Sequence, residues 1–528
     1  MHAAISLLAG TLYAAALAPF NIELLAFFTL VPLLWVIERS KPLSAALYGW
    51  LWGIGWGFFA YRFLREIDAV IPFLLPPVIA IWSALWACAV SFINKRTKNK
   101  NSFWYQTLTV FGTAALFPLI EWTRSRLFVW NDLGVTQWRN LPLIQLAAFT
   151  GSYGVNFIVA LGNTAIYALI SKGKRRAAII PLCLILLVIT LGYFRLKEIE
   201  KPSTHSAVWK PILIQGDLSQ RRRASLNQVQ EALDIYGTLT LQAINKYPGS
   251  NFIIWPESAI PLTFYSAIDM RKFTFTDPYA LNTLRYQELI RLITSNYRCR
   301  MLFGALDIAP ETPGSRNFVA TNSALFFDEN GVIRRKYSKI HRVPFGEYIP
   351  FRNLLPKFIT NYIDMGRDIV SGTDSTPLVL APGVNAGVVI CYEGVFGYIT
   401  RKSAQNGANV LIALSNDAWY PQSSEPEQHL ANVVMRCVET GLYMVRSGNN
   451  GGSGVVTPSG RFTQCYTPES NKRPELWRGR TINRVEVPIS QETARTLYVR
   501  WGEYFIIILA AIVILWIVPA FYRREIKQ

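Results

Sequence analysis

The stretch AGVVICYE (386–393) is an apolar run that ends at a thiol and a carboxylate. A short apolar run bounded by turn residues predicts a strand that is buried on both faces. The next residues, GVFGYITRKSAQNGA (394–408), indicate a turn that enters a helix, so Cys391 stands at a strand-to-helix junction. Free cysteines are often buried and inert, but a helix N-terminus can give a thiol thiolate character. The stretch alone leaves both roles open for Cys391.

Similar short apolar runs, separated by Gly, Pro, Asn and Asp, recur between residues 196 and 500. Besides the run at 386–393, we predict strands at 211–216, 251–257, 299–306, 322–328, 409–415 and 442–447. We predict helices between several of them, near 222–246, 279–296, 395–406 and 427–440. This alternation predicts an α/β domain whose sheets are buried on both faces.

The first 200 residues differ, because they form apolar segments about as long as a bilayer is thick. A hydrophobic fraction of 51% over 528 residues is high for a soluble chain. We predict eight membrane spans, near 3–20, 22–38, 44–63, 70–93, 105–122, 152–171, 177–195 and 503–522. The predicted domains are a transmembrane domain at 1–200, a catalytic α/β domain at 205–497 and a C-terminal transmembrane helix at 501–522.

Basic residues indicate the orientation of these spans. Clusters of Lys and Arg follow every second span, at 39–41, 95–100, 172–176 and 523–527. The positive-inside rule then places both termini in the cytoplasm and the α/β domain outside, in the periplasm of a diderm bacterium. These clusters explain the net charge of +19 as basic residues that lie at the lipid headgroups. The sequence has no stripe of interleaved aromatic and basic residues, so we expect no nucleic-acid partner. Six cysteines without a CxxC pair predict neither a zinc site nor a disulfide framework.

Glu257 ends the predicted strand at 251–257, directly after Trp255 and Pro256. A carboxyl group beside an apolar wall has a raised pKa and can act as a general base near neutrality. The alternative is a structural role, in which Glu257 caps the turn that follows the strand.

Lys339 lies in RRKYSKIHRVPFGEYIPF (334–351), among several other basic residues. A solvated basic face is the simpler interpretation of such a cluster. However, VPFGEYIP (343–350) is a Pro- and Gly-bounded apolar turn that carries Glu347, a charge that needs a partner. A lysine beside this turn could offer its ammonium group to a developing oxyanion.

A Cys–His pair is the competing arrangement for a thiol nucleophile. The four histidines are His2, His205, His341 and His429, and we expect a structural or substrate-contacting role for His429. The sequence contains neither a Gly-rich phosphate loop nor HExxH, so nucleotide and zinc chemistry are not indicated.

Three motifs that carry Glu257, Lys339 and Cys391 follow one another along the chain: WPES (255–258), YSK (337–339) with VPFGEYIP, and VICYE (389–393). They resemble the Glu-Lys-Cys motifs of the nitrilase superfamily of carbon–nitrogen hydrolases, which implies a four-layer α-β-β-α sandwich. Together with the predicted spans, SNDAWY (415–420), EWTRSRL (121–127) and IQLAAFTGSYGVNF (144–157), they resemble the bacterial apolipoprotein N-acyltransferase family over nearly the whole chain.

This resemblance implies that Glu257 is the general base, Cys391 the nucleophile and Lys339 the stabiliser of the tetrahedral intermediate. It makes Glu347 a supporting residue, and it implies that Tyr392 and Glu393 shape the site. The implied reaction moves an acyl chain from a phospholipid, normally phosphatidylethanolamine, through a Cys thioester to the α-amino group of a diacylglyceryl-cysteine apolipoprotein. It implies a monomer in the bacterial inner membrane that needs no metal or cofactor.

Two loops depart from the family pattern. Pro421-Gln422-Ser423 follows SNDAWY where the family commonly has Gly and a small polar residue, and RRRASLNQ (221–228) lacks a nearby Trp. Both departures concern the preference for an acyl chain or headgroup. Two other functions stay open: a membrane-anchored amidase that hydrolyses small amides with the same triad, and a non-enzymatic transporter or lipid-binding scaffold.

Overall fold

The computed structural model describes residues 1–97, 100–201, 207–219, 225–268, 276–311, 315, 317–357, 360, 368–420, 423–464, 479–489 and 496–521. The N-terminal part is helical. Its helices are α1 (His2–Ala16), α2 (Val31–Arg39), α3 (Pro42–Ala60), α4 (Ile71–Arg96), α5 (Phe103–Arg124), α6 (Leu141–Ile144), α7 (Ala147–Thr150), α8 (Ser152–Ile170) and α9 (Ile179–Ile199). We call this part the membrane half, together with the C-terminal helix α15 (Tyr504–Phe521).

Among the described residues, five helical segments are long and apolar enough to cross a membrane. They are α4, α5, α8, the segment Arg175–Ile199 that contains α9, and α15. The prediction of eight spans exceeds this number for physical reasons. α1 has only 15 residues, the segment near 22–38 is divided between a 3₁₀ turn at Glu23–Phe27 and the nine-residue α2, and the glycines and tryptophans of α3 lower its mean hydropathy.

The region between α9 and α15 is an α/β domain. Its strands are β1 (Ala207–Trp209), β2 (Ile212–Gln215), β3 (Phe252–Ile254), β4 (Thr263–Phe264), β5 (Arg300–Pro310), β6 (Phe318–Phe327), β7 (Ile333–Ser338), β8 (Leu378–Ala381), β9 (Val384–Ile390), β10 (Val410–Ser415), β11 (Met444–Gly448), β12 (Gly454–Val456), β13 (Phe462–Gln464), β14 (Thr481–Arg484) and β15 (Val487–Ile489). Its helices are α10 (Leu226–Lys246), α11 (Pro278–Asn296), α12 (Gly397–Gln405), α13 (Glu425–Thr440) and α14 (Leu497–Trp501).

All seven predicted strands and all four predicted helices of this domain are present. The predicted strand at 251–257 ends earlier, at Ile254, and Glu257 lies in the turn that follows it. The sequence analysis missed the shorter or more polar strands, such as β7 (IRRKYS), because they lack an apolar run.

The strands form two large sheets. One has the order β14-β2-β3-β5-β6-β7, with β4 beside β5, and the other has the order β13-β12-β11-β10-β9-β8. In both sheets the central strands are parallel: β2, β3 and β5 in the first, and β9, β10 and β11 in the second. The parallel strands of each sheet end at one edge of that sheet, and the two sheets stack face to face, so the residues after β3 and those after β9 can approach one another.

Three hydrophobic clusters show how the layers stack. The cluster between the two sheets contains Leu213, Ile254, Leu302, Val388, Ile412 and Val445. The outer face of the seven-stranded sheet packs against α10 and α11 through Val229, Leu233, Tyr286 and Ile290. The outer face of the six-stranded sheet packs against α12 and α13 through Ile399, Leu430 and Val434, in a cluster that continues to Ile144 and Ala147 of the membrane half. The order of layers is α-β-β-α, and the α13 side rests on the membrane half.

Candidate active site

Cys391 is the first residue after β9, and it begins a short 3₁₀ turn at Cys391–Val395. We call this turn the nucleophile turn. The φ angle of Cys391 is +49°, a left-handed conformation that costs a residue with a side chain about 1–3 kcal/mol. Two contacts hold it: the N–H of Ile390 donates to Glu393 Oε2 at 2.9 Å, and Nε2 of His429 donates to the carbonyl oxygen of Cys391 at 3.0 Å. The backbone therefore presents the half-buried thiol in a fixed position.

Glu257 approaches this thiol from the other sheet, in the turn after β3. Its Oε1 accepts a hydrogen bond from Nδ2 of Asn322 at 2.7 Å, and the thiol of Cys391 lies within hydrogen-bonding reach. Burial raises the pKa of the Glu257 carboxyl group, and Lys339 only partly opposes this effect. A carboxylate with a raised pKa beside a thiol is suited to accept its proton.

Lys339 follows β7, and its side chain is only 1% exposed. Its Nζ donates to Glu347 Oε1 at 2.9 Å and lies 3.9 Å from Glu257 Oε1. Burial alone would lower the pKa of Lys339, but Glu347 and Glu257 outweigh it and raise that pKa above its usual value. The alternative of a solvated basic face is therefore wrong for Lys339, which carries a buried positive charge between two carboxylates.

Glu347 is held by the turn that contains it, because its Oε2 accepts the N–H of Val343 at 2.8 Å. Its other oxygen accepts Nζ of Lys339 and also Nδ2 of Asn322, at 2.8 Å. Asn322, from β6, thus donates to both carboxylates of the site. Sequence reasoning missed Asn322, and the available signal was a polar amide in the first position of the predicted strand NSALFFD (322–328), just before the apolar run ALFF (324–327).

Cys391 does not lie at the N-terminus of an α-helix. Burial, followed by the charge of Glu257, raises the pKa of Cys391 well above its usual value, while Lys339 lowers it. Helix α12 begins only at Gly397, beyond the five-residue 3₁₀ turn. The structure therefore does not support activation of the thiol by the N-terminus of α12, and the geometry favours removal of the thiol proton by Glu257.

Glu393 is fully buried within the nucleophile turn. Its Oε1 accepts the N–H groups of Ile340 and His341, at 2.6 and 3.0 Å, and the hydroxyl group of Tyr337 donates to both of its oxygens. Burial raises the pKa of Glu393 to about 7. Glu393 therefore ties the backbone beside Lys339 to the nucleophile turn, as a positioning residue rather than a substrate contact.

Tyr392 joins the nucleophile turn to the membrane half. Its hydroxyl group donates to the carbonyl oxygen of Val129 at 3.3 Å, and its ring stacks on Trp130 with centroids 6.1 Å apart. The thiol is thus fixed relative to the helices of the membrane half as well as to its own domain.

Among the described histidines, the competing Cys–His pair is not formed. His429 contacts the carbonyl oxygen of Cys391 rather than its thiol, and Nδ1 of His341 lies 3.1 Å from the hydroxyl group of Tyr398. His205 lies outside the described residues.

A buried polar cluster supports His429. Its Nδ1 lies 3.1 Å from Asp417 Oδ1, and the guanidinium group of Arg446 pairs with the other oxygen of Asp417. Ligand atoms of Asp417, Glu425 and His429 lie within 4.8 Å of one another, a spacing that could hold a metal ion. The fully buried Arg446 already supplies a positive charge there, so the cluster does not need a metal.

The structure thus brings together all six residues singled out in the sequence: Glu257, Lys339, Glu347, Cys391, Tyr392 and Glu393. It adds Asn322 and His429. The departures at 221–224 and 421–422 lie outside the described residues, so the structure does not inform on them.

Comparisons with known proteins found matches for both parts of the chain. A carbon-nitrogen hydrolase from Helicobacter pylori G27 is 15% identical, with a TM-score of 0.37, over 57% of this chain and 95% of that one. The family profile described as Apolipoprotein N-acyltransferase N-terminal domain matches residues 9–165, and the one described as Carbon-nitrogen hydrolase matches residues 215–471.

Two curated relatives extend the match over most of the chain. The apolipoprotein N-acyltransferase of Geobacter metallireducens is 28% identical, over 95% of this chain and 91% of that protein. The apolipoprotein N-acyltransferase of Allorhizobium ampelinum is 30% identical, over 89% of this chain and 91% of that protein. Because these alignments include the membrane half as well as the α/β domain, the chain belongs to the apolipoprotein N-acyltransferase family.

Proposed function

We propose that this enzyme transfers a fatty acyl chain from a phospholipid, through a thioester on Cys391, to the α-amino group of the N-terminal diacylglyceryl-cysteine of an apolipoprotein. Phosphatidylethanolamine is the expected donor. The observation that carries the proposal is the convergence of Glu257, Lys339 and Cys391 at the edge of the domain that rests on the membrane half. Relatives that span both halves are named acyltransferases, which favours acyl transfer over hydrolysis of small amides.

In the first half-reaction Glu257 accepts the thiol proton while the sulfur of Cys391 attacks the ester carbonyl carbon of the phospholipid. Negative charge develops on the carbonyl oxygen, and the buried ammonium group of Lys339 stabilises it. When the intermediate collapses, the ester C–O bond breaks and Glu257 returns the proton to the departing oxygen. The products are a thioester on Cys391 and a lysophospholipid.

In the second half-reaction the neutral α-amino group of the apolipoprotein attacks the thioester carbonyl carbon. Glu257 accepts a proton from the attacking nitrogen, and the C–S bond breaks as the amide forms. The sulfur regains a proton from Glu257, which restores the starting state. One site thus serves two bulky lipid substrates in turn.

The thioester must be protected from water between the two steps. We propose that the bilayer surface and the membrane half provide this protection, because Tyr392 and Trp130 close the nucleophile turn against the membrane half. In this arrangement lipid substrates enter laterally, from the outer leaflet of the bacterial inner membrane, with both termini cytoplasmic and the catalytic domain periplasmic.

We also propose that α1, α2 and α3 join the five longer apolar segments in an eight-span transmembrane domain at 1–200 and 501–522, around a catalytic domain at 205–497. Close backbone packing supports this proposal. A Cβ atom added at Gly10 would lie 2.1 Å from the carbonyl oxygen of Trp52, and one added at Gly53 would lie 2.5 Å from Oγ of Ser83. Small residues at such contacts are typical of membrane helix packing.

Intact mass spectrometry of the purified protein tests the proposal. We expect a mass increment of one fatty acyl chain that neutral hydroxylamine removes. The increment should be absent in Cys391→Ala and retained in the control Cys183→Ala, which changes an exposed cysteine of α9. An acyl adduct that survives in Cys391→Ala would place the nucleophile elsewhere.

The amidase alternative has its own test. Turnover of short-chain amides by the purified enzyme, at rates above those with phospholipid and an acceptor lipopeptide, would contradict acyl transfer as the function. A Glu257→Gln variant separates the roles further, because it should remain folded but form the thioester much more slowly. Near-normal acylation of Glu257→Gln would remove it from the role of base.

A further inference from the structure

A cavity of about 210 Å³ lies beside the nucleophile turn. Its walls include Val395, Phe396 and Gly397, but not Cys391, Glu257 or Lys339. It is therefore separate from the catalytic centre, although the segment after the thiol forms one of its walls.

The cavity lies where three apolar helices of the membrane half meet the catalytic domain. Arg126 lies just beyond the end of α5, Ser152 begins α8, and Glu503 directly precedes α15. Because α5, α8 and α15 are candidate spans, a site at their common end lies at the depth of lipid headgroups.

Three carboxylates line this cavity: Asp132, Glu439 and Glu503. Each uses one oxygen for a protein partner. Asp132 Oδ1 pairs with Arg124 at 2.9 Å, and Glu503 Oε2 pairs with Arg126 at 2.7 Å. Glu439 Oε1 accepts both a guanidinium N–H of Arg436 and the backbone N–H of Ser152, each at 2.9 Å.

The second oxygen of Glu439 is the decisive feature. Glu439 is only 1% exposed, and its Oε2 is buried without a hydrogen-bond partner among the described residues. It packs against Gly397 in the cavity wall, where an added Cβ atom would lie 2.8 Å from Glu439 Oε2, 2.8 Å from the hydroxyl oxygen of Tyr498 and 3.1 Å from Nη1 of Arg436. An unpaired buried carboxylate oxygen is costly, so a donor that enters the cavity would be favoured.

The charges around the cavity favour a cation. Three carboxylates, those of Asp132, Glu439 and Glu503, line the cavity together with two guanidinium groups, those of Arg126 and Arg436, so the lining carries one negative charge in excess. Burial raises the pKa of Glu439, and the charge of Arg436 only partly offsets this effect. His341, at the wall, adds no positive charge near neutral pH, because burial lowers its pKa to about 4.

We propose that this cavity binds the ammonium group of a phospholipid headgroup, as a lipid site distinct from the catalytic centre. The three N–H donors of a primary ammonium group match the acceptor oxygens of Glu439, Tyr498 and Glu503. Arg126, half exposed at the rim beside Glu503, can bind the phosphate of the same headgroup. A headgroup with both charges therefore fits better than a free inorganic cation.

Lipid binding to the full chain in detergent tests this site. The Cys391→Ala background prevents turnover, and native mass spectrometry counts bound dihexanoyl phosphatidylethanolamine. We expect two bound molecules at saturation, one in each site. Glu503→Gln and Glu439→Gln should weaken binding of the second molecule by about tenfold or more, because each removes a charged acceptor.

Glu427→Gln is the matched control, since Glu427 lies on the same helix and pairs with Arg139 of the membrane half outside the cavity. It should bind two lipids as the parent does. Dihexanoyl phosphatidylcholine, whose trimethylammonium group has no N–H donors, should fill the second site at least about tenfold more weakly.

Equal occupancy in the parent, Glu439→Gln and Glu503→Gln would overturn the proposal. So would equal binding of phosphatidylcholine, or displacement of the second lipid by potassium chloride or free ethanolamine at equal concentration. If Glu439→Gln does not fold, Glu503→Gln decides, because Glu503 lies at the partly exposed rim. Thioester formation is measured separately in protein that retains Cys391, so failure of this proposal and failure of the acyltransferase proposal are distinguishable.

Discussion

The two helical layers of the catalytic domain differ in what covers them. Helix α10, on the seven-stranded sheet, buries one face, with Val229, Leu233 and Tyr236 inward and charged residues outward. Helix α13, on the six-stranded sheet, buries all 16 of its residues, including the polar ones. The difference arises because α13 is covered on its outer side by the membrane half.

The polar residues of α13 make specific contacts with the membrane half. Gln428 accepts from Trp130 Nε1 and from Asn131 Nδ2, both at 2.9 Å, and Glu439 accepts the N–H of Ser152. The sheet that carries the nucleophile is thus fixed to the membrane half, whereas Glu257, Asn322 and Lys339 come from the other sheet. In the proposed mechanism, catalysis depends on the alignment of the two sheets, and the following predictions test this dependence.

Removing the positive charge of Lys339 should have the largest effect on the rate of thioester formation. In Lys339→Met the carboxylates of Glu257 and Glu347 lose the cation between them, and the oxyanion loses its stabilising charge. We expect thioester formation to fall by about 10³-fold. Mass spectrometry at timed intervals measures this rate, and Lys246→Met on exposed α10 is the control. A loss below about tenfold would contradict the assigned role.

Glu393 ties the two sheets together, and burial makes its ionisation in the folded protein unfavourable. Its pKa of about 7 lies above the reference value of 4.5, so the folded protein keeps a proton that the unfolded chain has released. This contribution to stability is complete below pH 4.5, declines as pH rises, and is lost above pH 7. A shift of this size corresponds to about 3 kcal/mol.

Thermal unfolding in detergent between pH 4 and 8 measures this effect. We expect the midpoint of the parent to fall with rising pH more steeply than that of Glu393→Gln, which cannot ionise. All other titrating groups are common to both proteins, so the difference between the two slopes isolates Glu393. Parallel slopes would show that folding does not raise the pKa of Glu393.

The sequence indicated the strands and the candidate site residues for a clear reason. Apolar runs mark the parallel strands at the centre of each sheet, and Glu257 and Cys391 directly follow such runs. The contacts that align these residues join segments distant in sequence, as when Asn322 bridges Glu257 and Glu347 or Tyr392 reaches Val129. Hydropathy also could not separate a broken segment such as 22–38 from a continuous span, because a 3₁₀ turn and an α-helix can have the same composition.

Substitutions of Asn322 test a contact that lies within the seven-stranded sheet, the hydrogen bond that it donates to Glu257. Its hydrogen bond lowers the pKa of Glu257, so Asn322→Leu should raise that pKa and move the acidic limb of the pH–rate profile to higher pH. The rate of thioester formation near neutrality should fall on the order of 10- to 100-fold. Asn322→Asp, which adds a third carboxylate, should shift the limb in the same direction. An unchanged limb in both variants would limit Asn322 to a structural role.

Substitutions of His429 test the six-stranded sheet, which carries Cys391. We expect them to have the smallest effect on the reaction rate. His429→Phe removes the donor to the carbonyl oxygen of Cys391 but keeps a ring against Trp130, whose centroid is 5.9 Å away. Without this bond the left-handed conformation of Cys391 loses one of its two restraints, so kcat should fall about tenfold with little change in KM.

His429→Gln separates positioning from packing, since its amide can still donate to the same carbonyl oxygen. We expect it to recover most of the activity that His429→Phe loses. If both variants were equally impaired, the hydrogen bond would not be the important contact. The alignment of the thiol would then depend on the Glu393 contacts and on the packing of Tyr392 against the membrane half.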